Sequence, residues 1–417
     1  MTALGTYMEP VGTWRIDPLP ATEWLVLPYP ESTFLLIRDG GGAAPLVLDR
    51  LGADGAQLYT ARVPGDGWRA SQQVAAVLEN GSVAIAFHDD DNVLLTLLRP
   101  GLTATTPVQI VNTWRPLMQD RPSITALDTG GFVVAWHSFA QDTLPGDFGL
   151  YGQRFDADGV PVGSEFRING RAAGEQFDVQ LAPLPGGRFI AAWTQEEPVG
   201  PPTSIRAQVF NGDGSRAGVE FTLSTAPTGL KDTVRLTPLE DGRLLAFLDT
   251  SGDGVFARLL AATGVPEGEE FRLNDFTPGS QNQAVAAAMP GGGFVAAWRT
   301  TRNTEGLPGD NIHYRVFDAA GRPLTGDLRA NQVMVGNQDE PLLQVLADGT
   351  FVIAWNVAVG PGWERRGETA LHARRFHADG TPIGAEMVLV GGNAAPGRGA
   401  DRALVLMDDG SLLAIWG

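Results

Sequence analysis

Cysteine is absent from the 417 residues, so the chain has neither disulfide bonds nor thiolate metal sites. Long apolar runs are missing too: no stretch approaches the roughly 18 residues that a membrane helix needs. The N-terminus lacks the basic and apolar regions of a cleaved signal peptide. Basic residues are scarce, with 30 Lys and Arg against 48 Asp and Glu and a formal net charge of −18. These features argue against nucleic acid as a partner and against membrane insertion.

Glycine (53) and proline (29) are abundant, which is typical of many short strands joined by tight turns. A turn glycine followed six residues later by a bulky residue recurs at intervals of 49 to 61 residues. The glycines are Gly81, Gly130, Gly187, Gly242, Gly292, Gly349 and Gly410. A period near 50 is characteristic of propellers and solenoids, whose units bury their faces against neighbouring units.

The best-preserved unit, residues 122–169, predicts four strands. SITAL, GGFVVAWHS, LYGQRF and SEFRIN are β-branched or aromatic runs bounded by Gly, Asp and Pro. The turns DTGG and DADG join the first strand to the second and the third to the fourth, with glycine supplying positive φ. The four strands of each unit are called a to d.

The two ends of the chain predict complementary parts of one unit. Residues 400–417 supply strands a and b, and the N-terminus resembles strands c and d. We therefore predict an all-β, eight-bladed β-propeller closed by terminal strands that share a blade. The predicted blades are 22–68, 72–116, 121–172, 178–228, 232–280, 283–336, 341–395, and 400–417 completed by 1–19. Alternatives are seven blades, with the degenerate N-terminal unit packed elsewhere, and, less favoured, an open solenoid.

The repeat resembles a known class of bacterial sequence. The pattern QxxPxxxxLxxGGFVVAW, then YGQRFDADG and GSEFRIN, is similar to repeats of very large secreted, adhesin-like proteins, often near calcium-binding nonapeptide arrays. The residues that carry it in the best-preserved unit include Gln119, Pro122, Trp136, Gln153 and Asn169. The resemblance implies a propeller-like repeat displayed at a cell surface, and these motifs specify structure rather than chemistry.

One polar column precedes strand a on the face that the d–a and b–c loops share. It includes Gln119, Asp120, Gln338 and Asp339. A ring of amides and carboxylates can hydrogen-bond sugar hydroxyls or hold a cation. The same side chains can instead satisfy backbone groups at the mouth of the channel, and the recurrence of Gln favours this second interpretation.

A second column directly follows the bulky anchor and varies from unit to unit. It contains His88, His137 and Arg299. Such variation suits contact with an asymmetric ligand, and surface drift explains it equally well. Two histidines without a third ligand are weak evidence for zinc, so no metal ligands are assigned and no cofactor is expected.

Four b–c loops are long, and function often lies on such loops. Their candidate contact residues are Phe139, Phe148, Trp363, Arg365 and Arg366. Aromatic faces stack on sugars or partner side chains, and guanidinium groups bind carboxylates; each residue can alternatively fold back over its blade. The turn LPGD recurs in two loops, and calcium binding at Asp147 or Asp310 is a minor alternative to a purely structural turn.

The sequence contains no nucleophile elbow, P-loop, HExxH helix or dinucleotide fingerprint. We therefore predict a non-enzymatic binding protein that recognises a cell-surface polysaccharide or protein through its variable-loop face. Alternatives are a structural or receptor-binding spike subunit of a phage-like particle, which would be a stable oligomer or need an assembly partner, and a glycan-active enzyme. The expected location is extracellular or on a particle surface, and a cytoplasmic location is also compatible with the sequence.

Overall fold

The computed structural model shows the protein as an all-β structure. It describes residues 2–4, 10–13, 24–39, 46–63, 71–89, 91–100, 105–141, 148–171, 174–196, 203–224, 231–250, 254–301, 309–334, 336–358, 369–390, 402–407 and 412–416. Within these ranges, no helix is long and apolar enough to cross a membrane.

The strands form four-stranded antiparallel sheets. The chain begins with β1 (Thr2–Leu4) and β2 (Pro10–Thr13). Sheet 1 contains β3 (Trp24–Tyr29), β4 (Thr33–Asp39), β5 (Leu46–Gly52) and β6 (Gln57–Val63). Sheet 2 contains β7 (Ser71–Val77), β8 (Val83–His88), β9 (Val93–Leu98) and β10 (Gln109–Ile110). Sheet 3 contains β11 (Gln119–Ala126), β12 (Phe132–Phe139), β13 (Phe148–Phe155) and β14 (Pro161–Arg167).

The second half of the chain repeats the arrangement. Sheet 4 contains β15 (Gln176–Leu184), β16 (Arg188–Glu196), β17 (Thr203–Phe210) and β18 (Phe221–Ser224). Sheet 5 contains β19 (Lys231–Pro238), β20 (Leu244–Thr250), β21 (Gly254–Leu260) and β22 (Pro266–Arg272). Sheet 6 contains β23 (Ser280–Ala288), β24 (Phe294–Thr301), β25 (Asn311–Phe317) and β26 (Leu328–Arg329). Sheet 7 contains β27 (Asn337–Val345), β28 (Phe351–Ala358), β29 (Thr369–Phe376) and β30 (Pro382–Val390).

A further sheet joins the two ends of the chain. Strands β31 (Arg402–Leu406) and β32 (Leu412–Trp416) pair with each other. Strand β32 also pairs with β1, through partners such as Thr2 and Ala414, and β1 pairs with β2. This terminal sheet lies between sheet 7 and sheet 1, because its first strand β31 contacts both β27 and β3.

The first strands of neighbouring sheets contact one another around the whole circle, from β3 and β7 through to β27 and β31. This is the radial architecture of a β-propeller, and the predicted all-β propeller fold is confirmed. Sheets 2 to 7 begin a few residues earlier than the predicted units; sheet 7, for example, begins at Asn337 rather than 341. The reason is that the polar residues preceding strand a already pair with strand b.

Strand b of each sheet lies between two neighbouring sheets, so both of its faces are buried. Strand β12, FVVAWHSF, is buried over its first seven residues, which explains the continuous apolar run. Four tryptophans at the end of this run pack between adjacent sheets and are at most 1% exposed: Trp136, Trp193, Trp298 and Trp355. The core is therefore a series of layers between sheets rather than one central cluster.

Carboxylates on or beside the outer strands connect sheets 3, 6 and 7 to the sheets before them. Glu165 of β14 accepts hydrogen bonds from the backbone N–H and the hydroxyl of Thr113, at 2.6 and 2.8 Å. Asp327 and Glu386 occupy corresponding positions and accept backbone N–H groups of the preceding sheet's d–a connection. Part of the negative charge of the chain therefore holds the ring together, since a charged acceptor strengthens such bonds.

Candidate functional site

The two faces of the ring differ in the connections that they carry. On one face, the a–b and c–d turns are short and contain glycines with positive φ, such as Gly130 and Gly159. The other face carries the starts of strand a and the ends of strand b, with the longer connections between them. We call the second face the loop face, and every predicted site residue that the structure describes lies on it.

A β-bulge opens strand a in most sheets. The pairing register shifts there, as between Asp120 and Ser123 of β11. In five sheets the bulge places a residue other than glycine at positive φ, and these residues are Gln72, Arg121, Asp178, Gln283 and Glu340. Such conformations cost on the order of 1 kcal/mol and persist only where neighbouring structure holds them.

The bulge residues connect neighbouring sheets near the mouth of the central channel: sheet 2 to sheet 3, sheet 3 to sheet 4, and sheet 6 to sheet 7. Gln72 Oε1 accepts a hydrogen bond from the backbone N–H of Arg121 at 2.8 Å. Gln283 Oε1 accepts one from the backbone N–H of Glu340 at 2.9 Å. Arg121 continues the first link, because its guanidinium donates to Asp178 Oδ1 of sheet 4 at 2.9 Å. The polar column therefore links neighbouring sheets through its own side chains.

His137 takes part in the same ties. Its Nε2 accepts the backbone N–H of Asp178 at 2.8 Å, and its side chain is nearly fully buried. Burial, with a smaller contribution from Arg121, lowers the pKa of His137 to about 3. The imidazole is therefore neutral with its proton on Nδ1, which lies 3.7 Å from Asp120 Oδ1. This role corrects its assignment as a ligand contact, since the bond to Asp178 occupies the acceptor nitrogen.

Gln119 and Gln338 are fully buried, so the hypothesis that they contact ligand gives way to a structural role. Asn331 at the end of one sheet donates to Gln338 Oε1 at 3.3 Å, and its own Oδ1 accepts the backbone N–H of Ile312. Asn169 and Gln176 repeat this bond at 2.7 Å. These amides fasten the end of strand d to the start of the next strand a.

The guanidinium group of Arg299 is paired with a carboxylate. Its Nε lies 3.0 Å from Asp310 Oδ2, and a second guanidinium nitrogen reaches the same oxygen. Asp310, one of the two aspartates considered for calcium, therefore has a cationic partner. Among the described residues, no group of three or more His, Cys, Asp or Glu side chains could hold a metal ion.

Of the remaining polar candidates, His88 and Asp339 are partly exposed, whereas Asp120 is buried. His88 is half-buried and its Nδ1 lies 2.6 Å from Ser71 Oγ. Burial raises the pKa of Asp120, against the opposing charges of Arg121 and His88. Asp339 is partly exposed, and its carboxylate accepts from Asn356 Nδ2 at 3.3 Å. These residues remain candidates for contact at the channel mouth.

Phe139 and Phe148 lie together at the top of sheet 3. Their ring centroids are 5.0 Å apart, and Phe148 also meets His137 edge to face at 6.2 Å. Both phenylalanines are partly exposed, so the pair forms an aromatic edge above the junction of sheets 3 and 4. Trp363, Arg365, Arg366 and Asp147 lie outside the described residues.

Reasoning from the sequence missed an exposed apolar segment beside this aromatic pair. Residues 113–118, which we call the strap, connect β10 to β11 and are all exposed. They include Trp114 (38% exposed), Leu117 (55%) and Met118 (37%). The signal was a Trp-Arg-Pro-Leu-Met run at a position where the next unit carries Arg-Ala-Ala-Gly-Glu.

No protein-family model matches the sequence, and no curated protein matches it. Two solved structures align with most of the chain. The dihydro-heme d1 dehydrogenase NirN aligns over 93% of this chain and 70% of its own, with a TM-score of 0.54 and 13% identity. The Dos1 propeller aligns over 96% of this chain and 93% of its own, with a TM-score of 0.51 and 11% identity. At these identities the likeness establishes the β-propeller fold alone.

Proposed function

We propose that this propeller is a non-enzymatic binding protein that recognises a cell-surface polysaccharide or protein through its loop face. The observation that carries the proposal is the aromatic edge of Phe139 and Phe148, placed beside the exposed strap. Aromatic side chains on rigid elements are the usual anchors of recognition surfaces. The ties among the bulge residues support the proposal, because they hold the strand ends beneath this surface in fixed positions.

The same proposal includes the terminal sheet as an eighth blade of the ring. Its support is apolar contact on both sides: Leu412 and Ala414 pack with residues of sheet 7, and Val405 and Leu413 pack with Phe34 of sheet 1. The seven-bladed alternative would leave this sheet outside the ring. An experimental density map of the purified protein, viewed along the channel, distinguishes the two counts directly.

Blocking one face at a time tests the binding proposal. Because the chain has no cysteine, a single introduced thiol can carry a bulky polyethylene glycol group. Asp91→Cys places it on the loop face, and Val265→Cys places it on a c–d turn of the opposite face; both residues are exposed. The two conjugates and the unmodified protein are applied to a glycan array, with and without calcium, and to a library of displayed peptides.

We expect saturable binding to at least one probe class, lost in the Asp91→Cys conjugate and retained in the Val265→Cys conjugate. A companion variant, Trp363→Ala with Arg365→Ala, tests the loop residues that the sequence singled out. Binding that survives the loop-face block and disappears with the opposite block would refute the proposal. Failure of the protein to bind either probe class would also count against it.

A further inference from the structure

The strap is held in one conformation at both ends. Asn112 Nδ2 donates to the Trp114 carbonyl at 2.8 Å, and Thr113 is bound to Glu165 of sheet 3. At the other end, the backbone N–H of Phe139 donates to the Met118 carbonyl at 3.0 Å. The strap is therefore a prearranged surface, and prearrangement lowers the entropic cost of binding.

Leu117 adds strain to this arrangement. Its φ of 65° lies in the left-handed region, which is unfavourable for a residue of its size. The same residue is 55% exposed, so its own burial cannot compensate for the strain. A strained and exposed apolar residue held by its neighbours is a feature associated with functional surfaces.

Most backbone carbonyls of the strap accept hydrogen bonds from inside the protein. The Trp114 and Met118 carbonyls accept the bonds described above, and Gln119 Nε2 lies 3.4 Å from the carbonyls of Pro116 and Leu117. The strap therefore presents mainly apolar groups to solvent. Sugar recognition depends on hydrogen bonds to hydroxyl groups, whereas exposed Trp, Met and Arg are typical of the centres of protein interfaces.

Arg115 is the one charged residue of the strap. It is exposed and makes no ion pair or hydrogen bond with any residue that the structure describes. A carboxylate on the partner is the group that complements an unpaired guanidinium. A second copy of this chain fits poorly, because a two-fold contact through the strap would bring two Arg115 side chains together and oppose two chains of charge −18.

We propose that the strap docks a protein segment that places an apolar side chain against Trp114, Leu117 and Met118 and a carboxylate against Arg115. This inference rests on the proposed loop-face binding function and names the class of its partner. Binding of a polysaccharide by the strap is the alternative that the experiment must distinguish.

The test selects partners from a random 12-residue peptide library displayed on phage, with the purified full chain as bait. Leu117→Asn is the diagnostic variant, because asparagine tolerates left-handed φ and removes the apolar contact without adding strain. Val265→Asn, which changes an equally exposed apolar residue on the opposite face, is the matched control. Thermal unfolding confirms that both variants fold.

We expect selected peptides to share an apolar residue near Asp or Glu. Their affinity should fall about tenfold or more for Leu117→Asn and remain unchanged for Val265→Asn. Exchange of the peptide carboxylates for lysine should weaken binding to the natural chain and restore it to Arg115→Glu. That crossed result identifies the contact between Arg115 and the carboxylate.

Other outcomes distinguish failure of the strap proposal from failure of the proposed loop-face binding function. Peptides that bind equally to Leu117→Asn and the natural chain, or an absence of enriched peptides, would overturn the strap proposal. If a glycan binds and the loop-face block removes it, the proposed function stands while the strap proposal fails. If neither peptide nor glycan binds, both proposals fail.

Discussion

At the junction of sheets 3 and 4, a change of one residue type alters how two sheets are joined. Gln72 and Gln283 use an amide oxygen to accept a backbone N–H of the next sheet. Arg121 occupies the same bulge position and has no acceptor, so His137 accepts the N–H of Asp178 instead. Arginine and histidine therefore act as a pair in place of one glutamine.

This pairing predicts a pH-dependent stability. The pKa of His137 is about 3 in the folded state, against 6.5 for the free side chain, so the unfolded chain binds a proton that the native state does not. The free energy of unfolding should therefore fall as pH decreases from 6.5 towards 3, by at most about 1.4 kcal/mol per pH unit from this group. Urea unfolding at several pH values measures it.

His137→Gln is the control, since glutamine keeps an acceptor and does not titrate. The difference in unfolding free energy between the natural chain and the variant should shrink steadily as pH falls below 6.5. A constant difference across that range would show that His137 does not control this part of the pH dependence.

Residue roles were only partly predictable from sequence. The buried amides carried a signal, because Asn and Gln recur seven residues apart in pairs such as Asn169 with Gln176 and Asn331 with Gln338. No sequence signal identified the partner of Arg299. Asp310 lies beyond a b–c loop and contacts Arg299 only when strands b and c pair. Position along a strand was predictable, whereas the contacts of side chains between sheets were not.

At the scale of elements, the paired glycines of the a–b turn are not equivalent. Gly130 and Gly131 both have positive φ. A Cβ at Gly130 would meet nothing within 4 Å, whereas one at Gly131 would lie 2.3 Å from the Phe155 carbonyl oxygen. Gly130 is therefore required only for its positive φ. Gly131 is required for its positive φ and also because a side chain there would collide with strand c.

This difference predicts unequal effects of the same substitution. Gly130→Ala should destabilise the protein by about 1 kcal/mol through its φ alone. Gly131→Ala should cost clearly more, because backbone atoms would have to move. Denaturant midpoints of the two variants provide the comparison, and equal midpoints would contradict the geometric argument.

Strands b and c could be predicted from their apolar runs, because a strand buried between two sheets has a continuous hydrophobic pattern. The bulges at the start of strand a did not follow, since a register shift exists only relative to a paired strand. The exposure of the strap could not be predicted for a related reason. Apolar residues in a connection have the same sequence pattern as the end of a buried strand.

At the scale of the whole molecule, the proposed eighth blade contains the pairing of β1 with β32, and we expect that pairing to close the ring. Deletion of residues 1–13 should leave β32 as an open edge next to a half-built sheet. We expect a lower unfolding midpoint and association into species of about twice the native mass or more, because open edges pair with other chains. Size-exclusion chromatography with light scattering measures both the native and the truncated chain.

A circular permutant that joins the original ends and opens the Asp156–Gly159 turn is the control. It retains every strand of the terminal sheet and should remain monodisperse to the same extent as the natural chain. If the truncated chain also matches the natural chain in stability and mass, the terminal pairing does not close the ring.

The terminal sheet also determines when the native state can be completed during synthesis. Each of sheets 1 to 7 is made of neighbouring segments, so each can form soon after its strands leave the ribosome. Thr2 must instead wait for Ala414, its partner across almost the full length of the chain. This pairing cannot form before Ala414 has left the ribosome, so until then β1 lacks its strand partner in the nascent chain.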